Sequence, residues 1–257
     1  MCGIAGFINL DGAPADTTIL AAMTGMVRHR GPDDRGTLCL SLRGGIPDTA
    51  LGFHRLSILD VSPRGHQPMT SPDGSIALLF NGAIYSAFDY RPELERGGHQ
   101  FRSGTDSEVI LALYERHGLD RMLERLDGMF AMVIADTRRG AVHLIRDRIG
   151  IKPLYWTQQG STVLFASEAK AFLAHPAYRA EIQAHLDRRL GAGKARVVRY
   201  PTDRPILDLY IFGQADFFIG NCVSSFSAFA VRERSTTGKH SAFFGFREWT
   251  ARNSYAP

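Results

Sequence analysis

The sequence predicts an α+β protein in which antiparallel sheets are flanked by helices. Short apolar segments recur along the first 180 residues and are bounded by turn residues such as Asp11-Gly12 and Asn81-Gly82. Few of the segments between them carry apolar residues at helical spacing. A hairpin signal, Thr137-Arg138-Arg139-Gly140, joins two of the apolar segments directly. Strands joined by tight turns, with few helices between them, favour antiparallel pairing.

The first elements follow from this pattern. A helix is expected at Thr17–Val27, where the apolar residues share one face and Asp16 or Thr17 can cap the first turn. Strands are predicted at Gly3–Asn9, Leu51–Leu59 and Ser75–Phe80. The last of these strands is expected to run into a turn at Asn81-Gly82.

The later elements continue the pattern up to about residue 180. Thr105-Asp106-Ser107-Glu108 has the form of a capping box and predicts the start of a helix. A second helix is expected from Glu168 to Leu173, and His185–Leu190 can be helical. Strands are predicted at Met129–Ala135, Ala141–Ile145, Leu154–Trp156, Thr162–Ala166, Val197–Tyr200 and Leu207–Phe212.

Composition excludes several classes of protein. Of 257 residues, 44% are hydrophobic and 22% are charged, which suits a globular protein. No apolar stretch reaches the roughly 18 residues of a membrane helix, and no signal peptide is apparent, so we expect a cytoplasmic protein without a membrane partner. Three cysteines are too few for a disulfide framework or a four-cysteine zinc site, and we expect no metal.

The net charge of +4 is unevenly distributed. Residues 1–180 hold 19 Lys and Arg against 19 Asp and Glu, whereas residues 181–257 hold 11 against 7. Half of the 16 phenylalanines also lie in the last 77 residues. This break predicts two unlike pieces, a domain at 1–180 and a segment at 197–257 joined by a junction at 181–196. It gives no support for a nucleic-acid partner.

Cys2 is the first candidate for chemistry. Removal of Met1 would give this residue both a thiol and a free α-amine, whose pKa of about 7.7–8.0 lets it act as a base near neutral pH. That pair is the self-contained nucleophile and base of N-terminal nucleophile enzymes. A cysteine at position 2 is more often incidental, so its surroundings decide between the two interpretations.

Nine blocks in the first 176 residues resemble class II glutamine amidotransferases, and specifically the glutaminase domain of asparagine synthetases. The resemblance implies a four-layer αββα N-terminal nucleophile hydrolase sandwich that hydrolyses glutamine without a cofactor. The blocks begin with Met1–Phe7 and continue as Arg28–Asp34, Leu51–Ile58, Gly65–Met69, Phe80–Tyr85, Thr105–Ile110, Leu126–Ala131, Arg146–Tyr155 and Phe165–Lys170.

The resemblance also implies roles for individual residues. Cys2 would attack the glutamine amide, and Asn81 with Gly82 would stabilise the oxyanion. Arg55 would bind the α-carboxylate and Asp106 the α-ammonium. Outside the family, Asn81-Gly82 is a common turn, Arg55 suits a surface ion pair and Asp106 suits the first turn of a helix.

One position departs from the family pattern. Ala83 stands where the family has a glutamate that helps to hold the substrate's ammonium group. The loss of one charge-assisted contact corresponds to roughly 1.5–3 kcal/mol, or about 10- to 100-fold in affinity. We therefore expect weakened glutamine binding.

The remainder of the chain lacks the second half of asparagine synthetases. Their ATP- and magnesium-dependent domain begins with a Ser-Gly-Gly-x-Asp-Ser loop that residues 177–257 do not contain. ATP and magnesium are therefore expected only of that missing domain, and a separate ammonia-accepting synthetase is a candidate partner.

Residues 197–246 resemble instead the C-terminal end of GDP-fucose protein O-fucosyltransferases. The resemblance implies sugar-nucleotide binding by Asp208, Ser225 and Phe226, although a buried amphipathic segment explains them equally well. One alternative function is therefore a fragment of such a transferase. Another is a non-catalytic chimera joined between about Pro176 and Val197.

Overall fold

The computed structural model describes residues 1–190, Ala192, 217–221 and 240–244. It divides the chain into two compact units, Met1–Val197 and Val198–Pro257.

The first unit contains a five-stranded sheet in which every pairing is antiparallel. Its strand order is β2-β3-β1-β9-β8, so the N-terminal strand lies at the centre. The start of β1 pairs with the end of β3, with Gly3 opposite His54. The strands are β1 (Gly3–Asn9), β2 (Asp34–Leu40), β3 (Thr49–Arg55), β8 (Tyr155–Gln159) and β9 (Thr162–Ala166).

A second antiparallel sheet has four strands in the order β4-β5-β6-β7. Its long central pair, β5 and β6, runs in register from Ile76 opposite Asp136 to Ile84 opposite Gly128. The two-residue β4 covers only Ala77 and Leu78 of β5, so the rest of that edge of β5 has no strand partner among the described residues. The strands are β4 (Met69–Thr70), β5 (Ile76–Ile84), β6 (Gly128–Asp136) and β7 (Ala141–Arg146).

Four helices complete the first unit. They are α1 (Thr17–Gly25), α2 (Arg91–Arg96), α3 (Asp106–Arg125, broken at Gly118) and α4 (Pro176–Leu190). Asp16 caps α1 through bonds from the Thr18 and Ile19 N–H groups, as the sequence predicts. The Thr105 hydroxyl caps α3 by accepting from the Glu108 N–H.

Three hydrophobic clusters define four layers. One packs α1 and α4 against the five-stranded sheet through residues such as Leu20 and Phe7. A second packs α2 and α3 against the four-stranded sheet, with Leu94 and Leu113 fully enclosed. The third lies between the two sheets, where Phe53 is buried. The first unit is therefore the αββα sandwich that the resemblance predicts.

Two local predictions are wrong. Asn81 and Gly82 do not form a turn but continue β5, because β6 pairs with this strand as far as Ile84. The strand expected at Leu51–Leu59 ends at Arg55. In each case long-range pairing or packing outweighs the local preference. The helix expected at Glu168–Leu173 is present as a 3-10 helix at Ala169–Ala174.

Within the second unit the described residues form two parallel strands, β10 (Phe217–Asn221) and β11 (His240–Phe244). The strands predicted at 197–200 and 207–212 lie outside the described residues. The boundaries at 180 and 196 stay predictions, although α4 crosses residue 180. None of the helices among the described residues is both long and apolar enough to cross a membrane.

Candidate active site

Cys2 lies immediately before β1, at the end of the five-stranded sheet where β3 finishes. Its Sγ accepts a hydrogen bond from the Leu56 N–H at 3.4 Å and lies 3.7 Å from the Leu56 carbonyl oxygen. Its own carbonyl oxygen accepts from Arg30 Nε at 2.9 Å. Two residues later, Ile4 exchanges hydrogen bonds with Ser167. Cys2 is therefore held through its thiol, its main chain and the strand that follows it.

The thiol of Cys2 is largely neutral at pH 7. Burial raises its pKa, and the Leu56 hydrogen bond together with the nearby positive charges of the N-terminus, Arg55 and Arg30 offsets only part of this effect. A neutral thiol is a poor nucleophile and needs a base to take its proton. Met1 is 54% exposed, so the peptide bond that blocks the α-amine of Cys2 is near the surface.

Arg55, at the end of β3, is a buried cation that is 5% exposed. Its guanidinium donates to the backbone carbonyl oxygens of Leu59, Asp60 and Ser62, at 2.6 to 3.1 Å. A Cβ at Gly65 would collide with the guanidinium, so this glycine makes room for it. No carboxylate of residues 1–190 forms an ion pair with Arg55, which therefore retains its capacity for an anion.

Asn81 projects from β5 into the space between the sheets. Ala77 and Leu79, which share its face of the strand, belong to the inter-sheet cluster, and β5 contacts β1 across that space. Asn81 is 2% exposed, and its buried Nδ2 has no hydrogen-bond partner. A buried unpaired amide donor costs about 1–3 kcal/mol, so it indicates a position kept for a ligand.

The N–H of Gly82 points to the open edge of β5. In a regular antiparallel pair, alternate residues turn their N–H groups away from the partner strand. The Phe80 and Ile84 N–H groups do so and donate to the side chains of Gln67 and Asp106. Gly82 lies between Phe80 and Ile84, two residues from each, so its N–H group turns to the same edge. A Cβ here would collide with the Met129 carbonyl oxygen, so the close approach of β6 requires glycine.

Asp106 is a buried anion at the start of α3, 5% exposed. Its Oδ2 accepts from the Ile84 N–H at 3.0 Å, and burial raises its pKa above the usual value. No Lys, Arg or His within residues 1–190 pairs with it. Asp106 and Arg55 thus form two buried, opposite charges that lack ionic partners.

Hydrogen bonds join these groups into one site. The Gly104 N–H donates to Asp60 Oδ2 at 2.7 Å, which ties the loop around Arg55 to the segment before Asp106. This bond is the main reason that the pKa of Asp60 falls to about 2. Asp106 in turn binds Ile84, two residues beyond Gly82 on β5. The five residues predicted from the sequence therefore border one region at one end of the sandwich.

Sequence reasoning missed the residues that support the site. Leu56 contacts the thiol through its backbone, which no side-chain pattern reveals. Gln67 bonds both backbone groups of Phe80 and so replaces a strand partner at the edge of β5. Arg30 and Glu168 fall inside the family blocks but received no role.

The residues predicted to bind a sugar nucleotide are not among those that the structure describes. Asp208, Ser225 and Phe226 lie outside the described residues. Among the residues that the structure describes, no cluster of three metal-ligating side chains occurs. A cavity of about 510 Å³ lies beside Asn9 and Trp156, and one of about 220 Å³ lies beside His66 and His99. Neither cavity is lined by Cys2 or by the other four residues of the candidate site.

A cysteine at the start of the central strand of an αββα sandwich defines the class of N-terminal nucleophile hydrolases. The family described as "Glutamine amidotransferase domain" matches residues 1–194. The chain belongs to this family.

The relatives include glutamine-hydrolysing asparagine synthetases. Asparagine synthetase 2 of Bacillus subtilis is 40% identical over 180 residues, which cover 68% of this chain and 23% of the relative. Asparagine synthetase 2 of Arabidopsis thaliana is 42% identical over 174 residues, 66% of this chain and 28% of the relative. The chain thus spans about a quarter of the length of these two relatives, and it matches their glutamine amidotransferase domain.

Solved structures show the same fold. A glutamine phosphoribosylpyrophosphate amidotransferase from Bacillus subtilis superimposes with a TM-score of 0.58 at 18% identity, covering 98% of this chain and 69% of that one. A structure described as the allosteric regulatory enzyme of purine biosynthesis gives 0.56 at 19% identity, covering 100% and 68%. At these identities the likeness concerns the fold alone.

Proposed function

We propose that the first unit hydrolyses glutamine to glutamate and ammonia. The observation that carries this proposal is a set of buried groups beside one thiol: a cation and an anion that form no ion pair within residues 1–190, and an amide donor that has no hydrogen-bond partner. Glutamine offers the matching set: an α-carboxylate for Arg55, an α-ammonium for Asp106 and a side-chain amide for Cys2.

The reaction follows from these groups once Met1 has been removed. The α-amine of Cys2 takes the thiol proton, and Sγ forms a bond to the amide carbon of glutamine. The Asn81 Nδ2–H and the Gly82 N–H stabilise the oxyanion; the loss of one such donor typically costs about 100- to 1000-fold in rate. Collapse breaks the C–N bond, and ammonia leaves with the proton from the amine. Water then hydrolyses the thioester to glutamate through a second tetrahedral intermediate, which restores the thiol.

No cofactor is needed in this proposal, because thiol, amine and oxyanion donors all come from the chain. Ala83 shares the face of β5 that carries Asn81 but offers no charge, so Asp106 alone carries the ammonium contact. We therefore propose weaker glutamine binding than in relatives with a glutamate here. A thiol nucleophile must stay reduced, which supports a cytoplasmic location.

We also propose which kind of protein accepts the released ammonia. The relatives are named as glutamine-hydrolysing asparagine synthetases, so a synthetase that uses ATP and magnesium is the partner we propose.

The transferase proposal for residues 197–246 rests on sequence resemblance alone. Protection of that segment by GDP-fucose in hydrogen exchange would support it, and unchanged exchange at saturating ligand would contradict it.

Labelling with a diazoketone analogue of glutamine tests the proposed hydrolysis. Intact mass should show loss of Met1 and one adduct, and peptide mapping should place that adduct on Cys2. Cys39 is an internal control, since this second free thiol lies on β2 away from the proposed site. A folded, processed protein that takes no adduct, or takes it equally on Cys39, would refute the proposal.

A further inference from the structure

The loop after β7 brings a cation to the N-terminus of the chain. Lys152 Nζ lies 3.7 Å from Met1 Sδ, although β7 and β1 belong to different sheets. Arg30 Nη2 lies 4.0 Å from the same sulfur atom. Two positive charges therefore flank the residue whose removal exposes the α-amine of Cys2.

Backbone hydrogen bonds hold Lys152 in this place. The Asp147 carboxylate, in a residue that is 6% exposed, accepts from the backbone N–H groups of Phe130, Ile151 and Lys152 at 2.9 to 3.1 Å. Arg146 Nε donates to the Lys152 carbonyl oxygen at 2.8 Å. The buried carboxylate thus holds the backbone of the loop, and this fixes the position from which the Lys152 side chain extends.

No carboxylate of residues 1–190 forms an ion pair with Lys152. Asp147 is engaged by the backbone N–H groups of the loop, and Glu168 already accepts from Arg30, His29 and Lys170 at 2.9 to 3.0 Å. These hydrogen bonds and charges outweigh burial and hold the pKa of Glu168 well below its usual range. Arg55, which also acts on Cys2, adds a further positive charge.

We propose that Lys152 keeps the α-amine of processed Cys2 unprotonated near neutral pH, so that the amine can accept the thiol proton. This inference rests on the proposed hydrolysis, in which that amine is the base. Lys152 acts on the base and not on the substrate.

The size of the effect follows from Coulomb's law. Lys152 Nζ lies 3.7 Å from Met1 Sδ. The Met1 side chain adds at most about 6 Å between Sδ and the Cys2 nitrogen, so we take a separation of roughly 8 Å between Lys152 Nζ and the amine. With an effective dielectric constant of about 40 to 80, one unit charge lowers the pKa of the amine by about 0.4 to 0.8. At pH 7 this raises the fraction of free base about two- to fourfold.

The test is a pH titration of processed protein labelled with [¹³C]cysteine, in which the Cys2 resonances report the amine. Lys152→Met should raise the pKa of the first Cys2 titration step by about 0.4 to 0.8 and shift the acidic limb of glutamine hydrolysis equally. Lys152→Arg, which keeps the charge, should restore both. Arg138→Gln is the control, because Arg138 lies in the β6–β7 turn and pairs with Asp73 and Glu115.

The outcomes separate this inference from the proposed function. If Lys152→Met and Lys152→Gln lower activity while the Cys2 titration stays that of the unsubstituted protein, Lys152 is structural and the inference is wrong. If the titration moves as expected but no variant hydrolyses glutamine, the inference on the amine holds and the proposed function fails.

Discussion

Replacement of Asp106 by asparagine tests the proposed binding of the α-ammonium group. The substitution keeps the size of the side chain and an oxygen that can accept from the Ile84 N–H, but it removes the charge. Because Asp106 is buried without a cation, we expect glutamine binding to weaken while the fold becomes more stable.

The two effects have separate physical sources. A charge-assisted contact to the ammonium group corresponds to about 1.5–3 kcal/mol, so kcat/KM for glutamine should fall about 10- to 100-fold. Without substrate, the buried charge has no cationic partner within residues 1–190, and its removal should raise the free energy of unfolding by about 1 kcal/mol. For a unit of this size that corresponds to a rise in Tm of about 2–4 °C.

The stability gain depends on pH in a defined direction. Burial raises the pKa of Asp106 in the folded state, so its ionised form costs stability at neutral pH. As the pH falls through that raised pKa, the carboxyl group becomes neutral and the cost disappears. The difference in Tm between the two proteins should therefore shrink on acidification.

The assay compares glutamine with glutaramate, which lacks only the α-amine. Asp106→Asn should lower the rate of ammonia release from glutamine and leave that from glutaramate nearly unchanged. Asp120→Asn, on the exposed side of α3, is the matched control and should change neither rate. An equal loss with both substrates, or an unchanged rate with glutamine, would show that Asp106 does not bind the ammonium group.

Three further substitutions test other parts of the site. Asn81→Ala removes an oxyanion donor and should lower kcat about 100- to 1000-fold with little change in binding of a glutamine analogue; a rate within a few-fold of the parent would exclude this role. Ala83→Glu adds an acceptor on the same face of β5 and should lower KM about 10- to 100-fold, whereas an unchanged KM would contradict the weakened binding. Gly65→Ala should displace the Arg55 guanidinium and raise KM about tenfold or more. Its control is Gly25→Ala, where a Cβ meets no atom within 4 Å. An equal KM in the two variants would show that Arg55 does not bind the carboxylate.

Most elements of the first unit could be predicted because their signals are local. Gly3–Ile8 is uniformly apolar, and the observed strand, Gly3–Asn9, has the predicted bounds. The Thr105 cap and the hairpin around residues 137–140 depend on neighbouring residues, and both occur as expected. The strand Asp34–Leu40 was missed because its burial alternates only weakly and two of its seven residues are charged.

The site was predicted as a set of residues but not as an arrangement. The family blocks pointed to Cys2, Arg55, Asn81, Gly82 and Asp106, and the structure places them around one region. Their roles stay proposals. Nothing in the sequence indicated that three backbone carbonyls hold part of the Arg55 guanidinium, since hydrogen bonds to the backbone leave no side-chain pattern.

The sequence by itself determined the class of fold, the order of most elements and the residue types available for chemistry, because periodicity, caps and turns act over a few residues. Only the tertiary structure decided how Asn81-Gly82 is used. Locally this pair favours a turn, but the ladder with β6 extends it as a strand, which turns the Gly82 N–H to the open edge and leaves Asn81 buried without a partner. The approach of Lys152 to Met1 was likewise beyond the sequence, because it joins residues 151 positions apart across two sheets.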